Sequence, residues 1–198
     1  MATRESRADR QASRAAIDDP EVVLAAGLRF LEVRSRSVEE VRRRLSQAGY
    51  RPELIAGAIE RLVTIGLLDD ALFARLWIES RDRARPRGEA ALRRELSLRG
   101  VDREQINAAL EERRDVAEAA AQERAVAGLD DDGDGQLGAS ADEAAARRLI
   151  ERRQRDLDRI DDPRRRQQRA YALLARHGFD PGVCRTVAAS VASPATRP

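Results

Sequence analysis

Apolar residues recur every three or four positions along most of the chain, which is the spacing of one buried face of an α-helix. The first stripe follows Asp19-Pro20, a favoured N-cap and a favoured first helical residue. Its members are Val22, Val23, Ala26, Phe30 and Val33. The pattern predicts a helix that begins at Pro20 and buries this face.

Two more helices are predicted before residue 68. Ser37 and Glu40 form a capping box, and the helix that they open should end at Gly49. Pro52 opens the next helix, which should end near Gly66. The residues expected to be buried on it are Ile55, Ile59, Leu62 and Val63.

The same three-helix order returns further along the chain. One helix is predicted after Asp69-Asp70, a second between Pro86 and Gly100, and a third from Asp102 through Leu110. Segment 45–55 aligns with segment 96–106 at an offset of 51, and segment 174–184 repeats the pattern at a further offset of 78. The third repeat has N-cap candidates at Ser140 and Asp162, before segment 174–184, and at Asp180, within it.

The sequence therefore predicts an all-α fold of three tandem three-helix repeats, over residues 19–68, 69–127 and 140–193. Because each repeat is small for a core of its own, we expect the repeats to pack into an elongated, curved array. A Gly- and Asp-rich acidic insert occupies residues 128–139. Residues 1–18 and 194–198 are expected to be a disordered arm and tail.

The composition excludes several fold classes and several kinds of functional site. Aromatic residues make up only 3% of a chain rich in Ala, Leu, Arg and Glu, which favours helices over sheets. One cysteine and one histidine exclude a disulfide within the chain and a Cys- or His-rich metal site. No phosphate-binding loop, nucleophile elbow or zinc-protease motif is present, so neither a cofactor nor an enzymatic activity is predicted. Without a membrane-spanning run or a signal-peptide pattern, we expect a cytoplasmic protein with no membrane contact.

Basic and acidic blocks alternate along the chain. All 37 basic residues are arginine, against 35 acids. Residues 81–99 hold seven arginines and three acids, and residues 147–169 hold ten and five. Between them, residues 111–143 hold eleven acids and three arginines. Because basic and acidic blocks alternate on a nearly neutral chain, we expect separate charged patches to contact a partner, rather than one uniformly cationic surface.

Three segments of the chain carry a family-like motif. The first is Leu31-x-x-Arg34-Ser35-Arg36-Ser37-x-x-Glu40-Val41. The second, and the most specific, is Gly66-Leu67-Leu68-Asp69-Asp70-Ala71-Leu72-Phe73-Ala74. The third is Gly88-x-x-x-Leu92-x-x-Glu95-Leu96-x-x-x-Gly100-Val101. Together they resemble the RecX family of regulatory proteins, which modulate the RecA recombinase, with Val41 in place of that family's usual Leu. The resemblance covers about residues 22 to 112, and the third repeat matches only in pattern.

The resemblance implies a protein that binds RecA and its nucleoprotein filament and lowers recombinase and ATPase activity in DNA repair, recombination and the SOS response. We expect a monomer with weak DNA binding that lacks base specificity. One alternative is a helix-turn-helix DNA-binding regulator, because a glycine turn between helices recurs at Gly49 and Gly100. Another alternative is a purely structural helical adaptor.

Two arginine clusters are the candidate contacts with RecA or DNA, because a guanidinium group binds phosphates and carboxylates in a bidentate way. The candidates are Arg34, Arg36, Arg42 and Arg43 in the first repeat and Arg81, Arg83, Arg87, Arg93 and Arg94 in the second. The alternative for each arginine is a solvated helix face with local pairs, such as Arg36 with Glu40 or Glu89 with Arg93.

The other motif residues are interpreted as structural. The carboxylates of Asp69 and Asp70 suit a helix N-terminus, and Phe73 and Trp77 are expected to fill the contact between repeats. The full set is Ser37, Glu40, Gly49, Asp69, Asp70, Phe73, Trp77, Gly88, Glu95, Leu96 and Gly100.

Two further patterns suggest other chemistry, and we interpret both as structural. Residues 130–135 open like an EF-hand loop, but Ala141 stands where that loop needs a bidentate glutamate, so no calcium site is predicted. His177 and Cys184 lie seven residues apart. We expect His177 at a helix C-terminus, where positive charge is favourable, and Cys184 in the core.

Overall fold

The start and end signals in the sequence place helices along most of the chain. A computed structural model describes residues 7–126 and 140–192, and all regular structure in these ranges is helical, which confirms the all-α prediction. The helices are α1 (Arg7–Ala15), α2 (Pro20–Leu31), α3 (Val38–Ala48), α4 (Pro52–Thr64), α5 (Asp70–Ala84), α6 (Glu89–Leu98), α7 (Arg103–Val126), α8 (Ala141–Glu151), α9 (Gln154–Leu157), α10 (Pro163–Arg176) and α11 (Pro181–Ala192). The predicted insert and the predicted C-terminal tail lie outside the described residues.

The helices begin at the predicted capping residues. The Ser37 hydroxyl accepts the Glu40 N–H at 3.1 Å, and the Glu40 carboxylate accepts the Ser37 N–H at 3.4 Å, which completes the capping box. Ser140 opens α8 with a second capping box, and Asp162 accepts an N–H from the first turn of α10. At the other end of α3, Gly49 has a φ of 100°, which side-chain-bearing residues rarely adopt.

The first compact unit contains, of the described residues, 7–74 and 97–105. Helices α2, α3 and α4 contact one another in it. Their core consists of Val23, Leu24, Val41, Leu45, Ile55, Ala58, Ile59, Leu62 and Leu68. Three residues predicted on the buried faces are exposed instead, namely Val22, Val33 and Val63. Val33 is 78% exposed because α2 ends at Leu31, and Val22 and Val63 lie one position away from the buried Val23 and Leu62.

Residues 7–15 form α1, which differs from the disordered arm expected over residues 1–18. The Gln11 side-chain amide donates to the carbonyl of Gln47 at 3.0 Å, and Arg14 donates to the carbonyl of Ala48 at 3.3 Å. These carbonyls belong to the last turn of α3, where a helix has no partners of its own for them. The arm is held by polar contacts, and its sequence has no apolar stripe that would have indicated them.

The second compact unit contains, of the described residues, 75–96, 106–126 and 140–192. Helix α11 contacts both α8 and α10, and their shared core includes Leu149, Leu174, Phe179, Cys184 and Val187. The division between the units passes through α5, α6 and α7, which are the helices of the predicted second repeat. Helix α7 continues sixteen residues beyond Leu110, the end predicted for it, to Val126. No described helix is long and apolar enough to cross a membrane.

In the first unit, the end of α6 rests against the start of α3. The Ser37 hydroxyl donates to the carbonyl of Arg99 at 2.6 Å, and its side chain is fully buried. A Cβ atom on Gly100 would lie 2.3 Å from the Glu39 side chain. The glycine therefore provides the positive φ that ends this segment and also the space for the close approach.

The second unit contains the equivalent contact one repeat later. The Gly88 N–H, at the start of α6, donates to the carbonyl of His177 at 3.1 Å. A Cβ atom on Gly88 would lie 2.2 Å from the Gly178 carbonyl oxygen. The offsets of 51 and 78 make Gly88 equivalent to Ser37 and His177 equivalent to Arg99. In each unit, the second helix of one repeat begins against the end of the second helix of the next.

A carboxylate of the next repeat also caps each of these helix starts. Asp70 accepts the N–H of Val38, the first residue of α3, at 2.9 Å. Asp142 accepts the N–H of Glu89, the first residue of α6, at 3.0 Å. Asp69 accepts the Leu72 N–H at 2.9 Å and so caps its own helix. The two adjacent acids therefore cap two different helices, as helix N-termini require.

The guanidinium of Arg113 joins three elements of the second unit. Its side chain is 7% exposed and binds Asp82 in a bidentate way at 2.8 and 2.9 Å. It also donates to Asp142 at 2.6 Å. Burial alone would lower the pKa of Arg113, but the two carboxylates outweigh burial and raise it. Helices α5, α7 and α8 are thereby joined through one buried charge.

We predict that Gly88→Ala lowers the free energy of unfolding by about 2 kcal/mol or more, because the new methyl group meets a backbone carbonyl that cannot rotate away. The matched control is Gly57→Ala, where a Cβ atom has no neighbour within 4 Å. Gly57 lies inside α4, so this change should stabilise the protein by roughly 0.5–1 kcal/mol. Urea denaturation followed by circular dichroism measures both, and equal stability of the two variants would contradict the close contact.

We predict that Arg113→Ala destabilises the protein by about 3 kcal/mol, because it leaves the partly buried carboxylates of Asp82 and Asp142 without their main cation. Arg114→Ala is the control, since Arg114 is half exposed and pairs with Glu89 at the surface. Its loss should cost about 1 kcal/mol or less. The same denaturation measurement would disprove the role of Arg113 if both variants lost equal stability.

Candidate arginine-rich binding surface

The first arginine cluster surrounds the start of α3. Glu39, in the first turn, accepts hydrogen bonds from Arg42 at 2.8 Å and Arg43 at 2.9 Å. Arg34 pairs with Glu40 at 3.0 Å. Hydrogen bonds from Arg42 and Arg43 lower the pKa of Glu39 against the opposing effect of burial. The three arginines keep about half of their side-chain surface exposed, so their outward donors remain accessible to a partner.

Arg36 differs from its neighbours. The expected local pair with Glu40 is wrong, because Glu40 is bound by Arg34 and approached by Arg99 at 3.9 Å. Arg36 instead lies over the Phe30 ring, 4.2 Å from its centroid, and its buried Nε has no hydrogen-bond partner in the described ranges. Burial, with repulsion from Arg34, lowers the pKa of Arg36.

Glu95 organises the second arginine cluster. Its carboxylate accepts the indole N–H of Trp77 at 3.0 Å and the Nε of Arg81 at 2.6 Å. Arg87 lies 3.5 Å from the other carboxylate oxygen, and Arg81 stacks on the Trp77 ring at 4.2 Å. Arg81 and Arg87 are mostly covered, which gives them a structural role in addition to any contact with a partner.

The outer arginines of this cluster are more accessible. Arg83 pairs with Glu79, and the expected pair of Arg93 with Glu89 is confirmed at 2.8 Å. Arg94 is exposed and has no ion-pair partner among the residues that the structure describes. The two clusters belong to different compact units. Glu39 brings Arg42 and Arg43 together in the first, and Glu95 brings Arg81 and Arg87 together in the second.

The structure places the other motif residues in the fold. Phe73 and Leu96 are buried. Trp77, which was expected to pack between repeats, is only half-buried and donates a hydrogen bond to Glu95. Cys184 is buried as predicted, and burial raises the pKa of its thiol. His177 does end α10, but burial, with repulsion from nearby arginines, lowers its pKa and so opposes the positive charge expected there. Among the described residues, no group of three or more His, Cys, Asp or Glu side chains is placed to hold a metal ion.

Helix α10 is a basic helix whose arginines were not among the predicted contacts. This helix carries five arginines and no acid, namely Arg164, Arg165, Arg166, Arg169 and Arg176. Arg164 and Arg169 are exposed and have no carboxylate partner in the described part of the chain, whereas Arg165 pairs with Asp162 at 3.6 Å. The excess of arginine over residues 147–169 was the available signal. The third repeat therefore presents a cationic helix that the candidate set omitted.

Known protein-domain profiles match the chain in three segments, one for each predicted repeat. Profiles for the first, second and third three-helix domains of RecX match residues 24–62, 69–110 and 141–187. The match therefore includes the third repeat, for which the sequence showed only the helical pattern.

Relatives match over most of the chain. The regulatory protein RecX of Mycobacterium ulcerans (strain Agy99) is 32% identical over 167 residues, which cover 84% of this chain and 83% of that protein. The protein of the same name from Mycobacterium avium (strain 104) is 30% identical over the same shares. A crystal structure of RecX from Lactobacillus salivarius shares the fold with a TM-score of 0.65 at 18% identity, over 88% of this chain and 97% of that one. The chain belongs to the RecX family of regulatory proteins.

Proposed function

We propose that this protein binds RecA and its filament on DNA and lowers recombinase and ATPase activity. The observation that carries the proposal is the cluster of half-exposed arginines at the start of α3, within the segment matched by the first RecX domain. This surface is cationic and helical. Its chemistry suits recognition of an acidic surface on a partner protein or of a phosphate backbone.

The intramolecular ion pairs support this use of the cluster. Glu39 holds Arg42 and Arg43 in fixed orientations, so less side-chain freedom is lost when a partner binds them. A surface pair of this kind contributes about 1 kcal/mol or less, so a carboxylate or phosphate of the partner can displace Glu39 at low cost. The cluster is therefore positioned in advance and still able to exchange its anion.

Only part of the second cluster fits the same argument. Arg81 and Arg87 are committed to Glu95, whereas Arg83, Arg93 and Arg94 face solvent more openly. Weak contact with DNA, if it accompanies the binding of RecA, should come from exposed arginines such as these and those of α10. Phosphate contacts of this type carry no base specificity and weaken with salt.

The first test is the ATPase of the cognate RecA on single-stranded DNA, titrated with this protein at low and at physiological salt. Substoichiometric inhibition that weakens with salt is expected, because the contact is largely electrostatic. Replacing Arg34, Arg36, Arg42 and Arg43 by Ala should raise the concentration for half-inhibition by roughly tenfold or more, since each lost charge-assisted contact contributes about 1.5 kcal/mol or more.

The control replaces four exposed arginines outside both clusters, Arg61, Arg124, Arg155 and Arg185, by Ala. This variant loses the same net charge and should still inhibit. Inhibition that survives the cluster replacement would remove the cluster from the mechanism. Specific binding to one duplex sequence without any effect on RecA would instead favour the helix-turn-helix alternative.

Breaking the internal ion pairs of the cluster should strengthen inhibition, whereas removing its arginines should weaken it. Glu39→Gln releases Arg42 and Arg43 from their internal anion, so inhibition should require about two- to fivefold less protein at low salt. Glu21→Gln, which releases Arg61 outside the clusters, is the matched control and should leave the titration unchanged. Equal titration curves for both variants would show that Arg42 and Arg43 are not contacts.

A further inference from the structure

A groove in the first unit lies among α1, α2 and α3. Its volume is about 590 Å³, within the range of pockets that enclose small ligands or single side chains. Apolar lining comes from Phe30, Val33 and Leu45, and Val33 is the large apolar residue left most exposed on α2 and its end. The groove therefore offers an apolar surface that none of the described residues of this unit covers.

Arginines without carboxylate partners surround this apolar surface. Arg14, Arg29 and Arg44 line the groove, and Arg36 contacts its Phe30. Within residues 7–126 and 140–192, none of the four lies at ion-pair distance from an acid. Arg14 and Arg29 donate to the helix carbonyls of Ala48 and Ala25. This differs from the neighbouring cluster, in which Glu39 and Glu40 neutralise the arginines.

The aromatic rings of the groove already carry cations. The guanidinium carbons of Arg36 and Arg44 lie 4.2 and 5.7 Å from the Phe30 ring centroid. Arg14 lies 5.8 Å from the centroid of Tyr50. Both rings are also partly buried, so little of either is left for stacking with a nucleobase, which is how aromatic side chains bind single strands. The arrangement favours an anion that brings an apolar group, which a nucleic acid backbone does not.

We propose that this groove binds an acidic peptide segment of a partner protein, with carboxylates on Arg29 and Arg44 and an apolar side chain against Phe30 and Val33. Charge complementarity selects the occupant, because the excess of unpaired arginines calls for a polyacidic segment and the apolar lining calls for a side chain such as leucine. Except for Arg36, these residues lie outside the candidate contacts of the proposed function. The proposal goes beyond the inhibition of RecA and is tested without it.

The probe is a short fluorescein-labelled peptide of alternating glutamate and leucine, and fluorescence anisotropy with the full chain measures its affinity. Arg29→Gln with Arg44→Gln should weaken binding by roughly tenfold or more, because two charge-assisted contacts are lost. Arg155→Gln with Arg185→Gln removes the same charge from exposed positions in the second unit and should change the affinity less than about twofold. Both pairs lie at the surface, and circular dichroism verifies that helicity is retained.

Two further probes separate the explanations. A peptide with serine in place of leucine should bind at least about tenfold more weakly, since it cannot bury the apolar side chain. Equal binding of the two peptides would reduce the groove to a patch of charge and overturn the proposal. Tighter binding of a labelled single-stranded oligonucleotide than of the peptide, lost in the same Arg29 and Arg44 variant, would assign the groove to nucleic acid instead. Peptide affinity that is indifferent to this variant would also overturn the proposal.

Discussion

The first N–H groups of a helix have no partners within that helix, and in this protein the next repeat supplies them. Asp70 does so for α3 and Asp142 for α6, and the carbonyls of Arg99 and His177 meet the same two helix starts. Each contact lies inside one compact unit. The first and second repeats of this chain are therefore incomplete on their own in a specific sense, because the start of the second helix of each is capped by the next repeat.

The candidate binding surface depends on the same helix starts. The acids of the first turn of α3 are favoured there by the helix dipole, and they in turn bind the arginines that follow one turn later. In α6, Glu89 is likewise an acid of the first turn, and hydrogen bonds from Arg114 and Arg93 outweigh its burial and lower its pKa. The acids at each of these helix starts thus bind partly exposed guanidinium groups. One local arrangement serves both folding and recognition.

Much of the fold was accessible from the sequence because its signals are local. Capping boxes, prolines at first helical positions and glycines after last turns each act within a few residues, and the structure has them at Ser37, Pro52 and Gly49. The burial of Val63 was misjudged because helical periodicity leaves an uncertainty of one position at the edge of a face. The repeat register also came from spacing alone.

The missed contacts that hold each unit together are long-range and polar. Asp70 was expected to serve its own helix, whereas it caps Val38, 32 residues away. Nothing in the local sequence distinguishes the buried Arg113 from the half-exposed Arg114 beside it. Likewise, α1 docks through an amide and a guanidinium, which have no hydrophobic periodicity to detect. Apolar patterning predicts which faces are buried, but not which polar groups find each other across a fold.

The two equivalent helix starts also differ in the group that reaches the next repeat, and this difference decides whether one repeat could replace the other. Ser37 uses a side-chain hydroxyl to reach the following repeat, whereas Gly88 uses its backbone N–H and has no space for a side chain. A copy of the first repeat placed in the second position would bring a serine into the Gly178 carbonyl. The first two repeats are therefore alike in pattern but not interchangeable, because the space around the Cβ position of residue 88 admits only glycine.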